Sequence, residues 1–174
     1  MRDIWVISDT HFNHENILDF VDDLGRKIRP FGSVDEMNDR MITRWNETVK
    51  PGDIVYHLGD VAFGDKESFK KLWPKLHGAK RLLVGNHDDI KFLSSGGFFK
   101  KIGMWRVWPE YDLVMTHVPI DMSQTGNYKS KYHYNVHGHI HHNKSPSDKH
   151  FNMSVEAINY TPMNLEDVVM EMKK

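Results

Sequence analysis

The chain has 174 residues, 39% hydrophobic and 27% charged, a balance that one globular domain of ~100–200 residues satisfies without staples. Lys and Arg total 23 against 24 Asp and Glu, so the net charge is -1 and offers no broad electrostatic footprint for duplex nucleic acid or an anionic membrane. Zero cysteines exclude disulfides, thiolate metal sites and cysteine nucleophiles together, whereas 12 histidines raise metal or acid–base chemistry.

In chain order, Ile4 to Ser8 reads as a strand buried on both faces, and Met1-Arg2-Asp3 before it leaves no secretory h-region. No apolar run approaches the ~20 residues of a membrane span, so a cytoplasmic protein is expected. A short helical pattern occupies Ile17 to Leu24. Ser33-Val34-Asp35-Glu36 is a capping box, and the helix it opens carries Val34, Met37, Met41, Trp45 and Val49 as a core stripe before Pro51-Gly52. Ile54 to Leu58 is a second strand. Phe69, Leu72, Trp73 and Leu76 have helical spacing that Pro74 kinks or ends. Arg81 to Val84 is a third strand, and Ile102 to Val107 and Leu113 to Thr116 supply more. Val118 to Asn135 is a long loop, rich in polar and aromatic residues, of the kind that forms a lid or binding loop. Val136 and Phe151 to Val155 are late strands, and Asn164 caps a last helix bearing Leu165, Val168, Val169 and Met172. Alternating strands and helices over residues 1–174 predict a single α/β domain.

The polar groups fall where this pattern ends its strands. Asp9-Thr10-His11 follows the first, Gly59-Asp60 the second, and Gly85-Asn86-His87-Asp88 the third. Thr116-His117 and Gly138-His139-Ile140-His141 supply two more. Ligands of α/β sheets gather outside the carboxyl ends of strands, so these segments can share one crevice. The i, i+2 spacing of Asp9 with His11 and of His139 with His141 puts each pair on one side of extended chain. The adjoining glycines allow tight bends in a crowded site.

This ordered set resembles the calcineurin-like metallophosphoesterases, from Ile4 to His141, with Asn152-Met153-Ser154-Val155-Glu156 similar to their closing strand. Ser8 to Phe12, Trp45-Asn46-Glu47 and Val55 to Asp60 are most similar to small single-domain bacterial and phage members. The resemblance implies a four-layer α/β/β/α sandwich with two mixed sheets flanked by helices. It also implies one metal on Asp9, His11, Asp60 and His141, and a second on Asp60, Asn86, His117 and His139, with Asp60 bridging. Imidazole and oxygen donors suit Mn first, with Fe, Zn, Ni or Co as alternatives, over Mg or Ca. Two divalent ions, two carboxylates and a bridging hydroxide sum to about +1, a site that draws a phosphate oxyanion. The implied reaction is phosphoester hydrolysis by that hydroxide. His87 is similar to the family's leaving-group acid, and Asp88 is expected to fix its tautomer.

Bland readings stand beside these. Asp9 and Asp60 alone would be helix N-caps, Asn86 a turn residue and His117 a core histidine; the ordered set favours ligands. His14 either lines the phosphate pocket or caps the helix near Glu15. Arg29 either meets substrate phosphate or sits in a surface loop before the capped helix. His137 and His142 are left outside the ligand set, His57 is either structural or a support behind the ligands, and His77, His133 and His150 are surface residues.

Gly59-Asp60 is followed by Val61-Ala62-Phe63-Gly64, without the arginine by which the superfamily's protein phosphatases grip a monoester. A small phosphodiester, cyclic or nucleotide-type, is therefore the expected substrate, with Tyr128, Tyr132 and Tyr134 available to stack a base. The alternatives are a phosphomonoesterase on the same site, or a non-catalytic metal-stabilised interaction module.

Overall fold

The computed structural model describes residues 2–123 and 132–174; Tyr128 of the expected binding loop lies outside the described residues. Two mixed sheets flanked by helices form the fold. One sheet has the order β4-β3-β2-β1-β9, built from β1 (Ile4–Ile7), β2 (Ile54–His57), β3 (Ala79–Leu83), β4 (Lys101–Gly103) and β9 (Met163–Asn164). Its first four strands are parallel, and β9 runs antiparallel to β1. The other sheet, β5-β6-β7-β8, comprises β5 (Trp105–Trp108), β6 (Leu113–Thr116), β7 (Tyr134–His137) and β8 (His150–Asn152). Here β6, β7 and β8 are parallel and β5 is antiparallel to β6.

Alternation along β1 divides the interior. Ile7 joins an apolar cluster with Val55, Leu82, Met37, Met41, Trp45, Phe69 and Trp73, beneath the helices α1 (Val34–Thr48), α2 (Lys66–Leu72) and α3 (Ile90–Ser95). Val6 points the other way, into a second cluster with Leu58, Leu83, Leu113, Met115, Val136 and Met153 from both sheets. The apolar side chains of α4 (Leu165–Met172) complete that cluster. Truncating a wholly buried anchor such as Trp45 or Trp73 to Ala would cost ~3–5 kcal/mol.

Several local expectations shift. Ser33 Oγ accepts from Glu36 N at 3.1 Å as a capping box requires, but Glu36 Oε2 accepts from Gly32 N at 2.7 Å rather than from Ser33. The pattern at 17–24 yields only a 3-10 helix, Glu15–Asp19, because Asp22 Oδ1 accepts from Leu24 N and Arg26 N and folds the chain into a turn. The run 102–107 becomes two strands in different sheets, with the chain crossing between them at Met104.

The two sheets are stitched together at their carboxyl ends. Ser8 N donates to Met153 O at 2.9 Å and Val155 N to Ser8 O at 3.1 Å, a parallel bridge between the residues just past β1 and β8. The residues leaving β1, β2, β3, β6 and β7 thus share one rim.

Candidate metal centre

Five of the seven expected ligands occupy the left-handed backbone region: Asp9, His11, Asp60, His139 and His141, at φ 56, 46, 55, 71 and 50°. Each such non-glycine residue costs on the order of 1–3 kcal/mol, which the surrounding packing must overcome. Glycines provide the clearance. A Cβ on Gly85 would lie 2.2 Å from Asp60 Oδ1, and one on Gly138 would lie 2.2 Å from Asp9 Oδ2. Strain concentrated on chemically competent residues is the pattern of a functional site.

Two groups of potential ligand atoms result among the described residues. Asp9, His11 and His141 offer atoms all within 4.8 Å of one another, and Asp60, His117 and His139 form a second such group. Asp60 Oδ2 lies between them, 3.7 Å from His11 Nε2 and 3.4 Å from His117 Nε2. Asn86 Oδ1 joins the second group at 2.9 Å from His117 Nε2.

The donor set fits divalent cations. Among the described residues, Asp9 Oδ1 and both ring nitrogens of His11 are buried without a hydrogen-bond partner, a costly arrangement unless a cation meets them. His117 Nδ1 faces Leu58 O at 2.8 Å and so carries the proton in the neutral ring. Its Nε2 lone pair then faces the oxygens of Asn86 and Asp60, three electron-rich atoms that a positive charge reconciles. Imidazole, carboxylate and amide oxygen together suit a first-row transition metal.

Protonation follows burial and neighbours. Burial raises the Asp9 carboxyl despite nearby histidines. It would also raise Asp60, but the hydrogen bond and charge of His117 and the His87 amide hold that group at about 2. Burial, Arg29 and His141 push His11 down to about 2, leaving it neutral and free to ligate. His117 and His141 are raised despite their burial, by Asp60 and Asp9 in one case and Glu156 in the other.

The remaining expected residues separate. His87 is exposed, its ring 6.0 Å from that of His11, and its backbone N donates to Asp60 Oδ1 at 2.9 Å. Asp88 does not orient that ring. Its two oxygens accept from the amides of Asp60, Val61 and Gly85 at 3.1, 2.9 and 2.8 Å, which engages both oxygens and ties the second and third motifs together. His14 has no capping bond; its ring stacks on Phe63 at 4.0 Å and lies 5.5 Å from His11, so it lines the site. Arg29 corrects both of its expected readings. It is wholly buried, with Nε on Glu156 Oε1 at 2.7 Å and the other nitrogens on Thr10 O and Asp9 O at 2.8 and 2.6 Å. That engagement takes it out of reach of substrate.

Glu156 is the residue the sequence reading passed over, although it lay in the stretch likened to a closing strand. Its Oε1 also accepts from His141 Nδ1 at 3.0 Å. The available signal was a lone carboxylate just past an apolar run, in a chain whose ligand histidines need partners on their second nitrogens. His57 is structural as expected, bonded through Nε2 to Thr10 Oγ1 at 2.9 Å. His137 also lies apart from the ligands, its ring nitrogens on Gly138 O and Ser145 Oγ. Of the outlying histidines, His133 is exposed and pairs with Asp112, whereas His77 and His150 are half-buried and hydrogen-bonded to backbone carbonyls.

Two mixed sheets whose joined carboxyl rim carries a two-group Asp/His/Asn cage define a metal-dependent hydrolase architecture. The sequence profile of calcineurin-like phosphoesterases matches residues 2–168. The chain therefore belongs to the calcineurin-like phosphoesterase family, metal-dependent hydrolases of phosphoester bonds. An uncharacterized protein of Methanocaldococcus jannaschii is 38% identical over an alignment covering 100% of this chain and 93% of its own. The crystal structure of a protein of unknown function from Aquifex aeolicus superposes with a TM-score of 0.72 at 27% identity, covering 97% of this chain and 98% of that one. Among the described residues, no helix is long and apolar enough to cross a membrane.

Proposed function

We propose that this protein is a manganese-dependent hydrolase of small phosphodiesters, cyclic or nucleotide-type esters included, acting in the cytoplasm as a single domain. Asp9, His11, Asp60 and His141 would hold one cation, and Asp60, Asn86, His117 and His139 would hold the other. When bound, such a pair polarises the phosphoryl group and ionises water near neutral pH. The position of Asp60 Oδ2, 3.7 Å from a histidine of one group and 3.4 Å from a histidine of the other, carries the reading.

The chain's own residues supply the rest. The water oxygen joins phosphorus, the ester P–O bond breaks, and the departing oxygen takes a proton from the His87 ring, which solvent restores. Asp88 positions that histidine indirectly, by pinning the turn from Gly85 against Asp60 and Val61. His14 and Phe63 wall the approach to His11. Diester preference is supported by Arg29, whose guanidinium is committed to Glu156 and two carbonyls and so is withheld from a dianionic terminal phosphate.

The test is metal stripping, reconstitution with Mn, Fe, Zn, Ni or Co, and turnover of bis-(p-nitrophenyl) phosphate beside p-nitrophenyl phosphate. Two ions per chain, activity that requires them, and faster diester turnover are expected. Asp60→Asn should bind at most one ion and lose turnover. A reversed ester preference would establish a phosphomonoesterase; two bound ions without turnover, a non-catalytic module. Full activity without metal would overturn the mechanism.

A further inference from the structure

A cavity of about 210 Å³ opens beside His87, outside the ligand cage, lined by Ala62, Phe63, Phe69, Phe92 and Leu93 together with His87 itself. Phe63 forms the partition. Its ring stacks on His14 and lies 5.2 Å from the rings of both His11 and His87, so one aromatic ring borders both the cavity and the cage. The walls are ring surfaces: Phe69 meets Phe92 edge-on at 5.7 Å. Three charged side chains also line it: Lys66 Nζ pairs with Asp89 Oδ2 at 2.7 Å, the same ammonium lying 4.9 Å over the Phe92 ring, and Asp65 caps α2 by accepting from Ser68 N at 2.9 Å.

We propose that this cavity receives a flat aromatic ring carried by the leaving alcohol of the substrate. The proposal rests on the reading above, in which His87 protonates the departing oxygen, because that oxygen then points toward the cavity. Size fixes how much can enter: pockets that enclose whole small molecules run ~300–1,000 Å³, so this one takes a single ring system and leaves phosphorus in the cage. Chemistry fixes what enters. The one ammonium is already paired with Asp89 and a second carboxylate, Asp65, stands beside it, so the lining offers no free positive charge for a second phosphate. Phenyl walls favour offset or edge-on ring contacts, worth ~0.5–1.5 kcal/mol beyond burial alone, which a saturated ring cannot match.

Calorimetric titration of the manganese-loaded protein with benzylphosphonate, cyclohexylmethylphosphonate and methylphosphonate tests this without turnover. Benzylphosphonate is expected to bind at least tenfold more tightly than methylphosphonate, and severalfold more tightly than the cyclohexyl compound. Phe92→Ala, which removes a wall, and Ala62→Leu, which fills the space, should each shrink the benzyl-to-methyl ratio toward unity, with thermal melts reporting folding. Equal benzyl and methyl affinities, equal benzyl and cyclohexyl affinities, or a ratio untouched by both substitutions would overturn the proposal while diester turnover stands. Failure of all three phosphonates to bind, with no ester hydrolysed, would remove the parent reading and this inference together.

Discussion

His141 donates its Nδ1 proton to Glu156 Oε1 at 3.0 Å, and the same oxygen accepts from Arg29 Nε at 2.7 Å. Burial alone would raise the Glu156 carboxyl, but Arg29 and His141 hold it at about 2, so it is an acceptor throughout the working pH range. That fixes the tautomer of His141 and turns its Nε2 lone pair toward Asp9 and His11. Through its other nitrogens Arg29 also grips the carbonyls of Asp9 and Thr10, on the stretch that carries two left-handed ligands. One buried ion pair thus braces ligands arriving from both sheets.

Glu156→Gln should therefore weaken metal binding and not only stability. The amide oxygen can still accept from both His141 and Arg29, but it leaves the wholly buried Arg29 without a counter-charge, and breaking such a pair costs ~3–5 kcal/mol. Loss of the carboxylate behind a ligating histidine lowers metal affinity ~10–100-fold. Manganese titration calorimetry beside thermal melts separates the two effects. Unchanged affinity with a lowered melting temperature would reduce Glu156 to a scaffold residue.

His87→Ala should keep both cations and lose most turnover. The side chain lies outside both ligand groups, and only its backbone N touches Asp60. Removing a positioned general acid costs ~10²–10⁴-fold. The loss should grow as the leaving alcohol becomes more basic, because nitrophenolate departs without help. Turnover measured across leaving groups, together with elemental analysis, checks this; loss of metal at constant activity per ion would reassign the residue.

The candidate ligands stand out in the sequence as an ordered set of polar motifs similar to one family's, most of them just past a strand of recognisable apolar character, and parallel register brings Asp9, Asp60 and Asn86 to one rim. What escaped depends on partners far apart in the chain. Arg29 and Glu156 are 127 residues apart, and Asp88 meets Asp60 and Val61 across 28 and 27. A guanidinium or carboxylate read locally suggests what it can bind, not that folding has already supplied it. The division of 102–107 between two sheets escaped for a related reason: an apolar run predicts burial, whereas the crossover at Met104 is set by which neighbouring strand is left unpaired.

His57, which stands outside the ligand groups, provides a pH prediction of its own. Gly59 N donates to its Nδ1 at 3.2 Å, and its Nε2–H meets Thr10 Oγ1 at 2.9 Å while that hydroxyl donates to Val61 O at 2.7 Å. A second proton would have to displace the Gly59 bond inside a fully buried site, and burial accordingly lowers the imidazole to about 3. In the unfolded chain the same ring titrates near 6.5. Between those values the unfolded state binds the extra proton, so stability falls as pH falls, by ~1.4 kcal/mol per pH unit from this one group. Above 6.5 the contribution is constant. His117 and His141, raised by their carboxylates, add slopes of the opposite sign, but these are common to the parent protein and to His57→Gln and cancel in the difference. Denaturant unfolding of the metal-free forms of both proteins from pH 7.5 to 4.5 should show the acid slope of the parent exceeding that of the variant by about this amount; parallel slopes would mean that His57 takes up a proton in the folded protein as readily as in the unfolded chain.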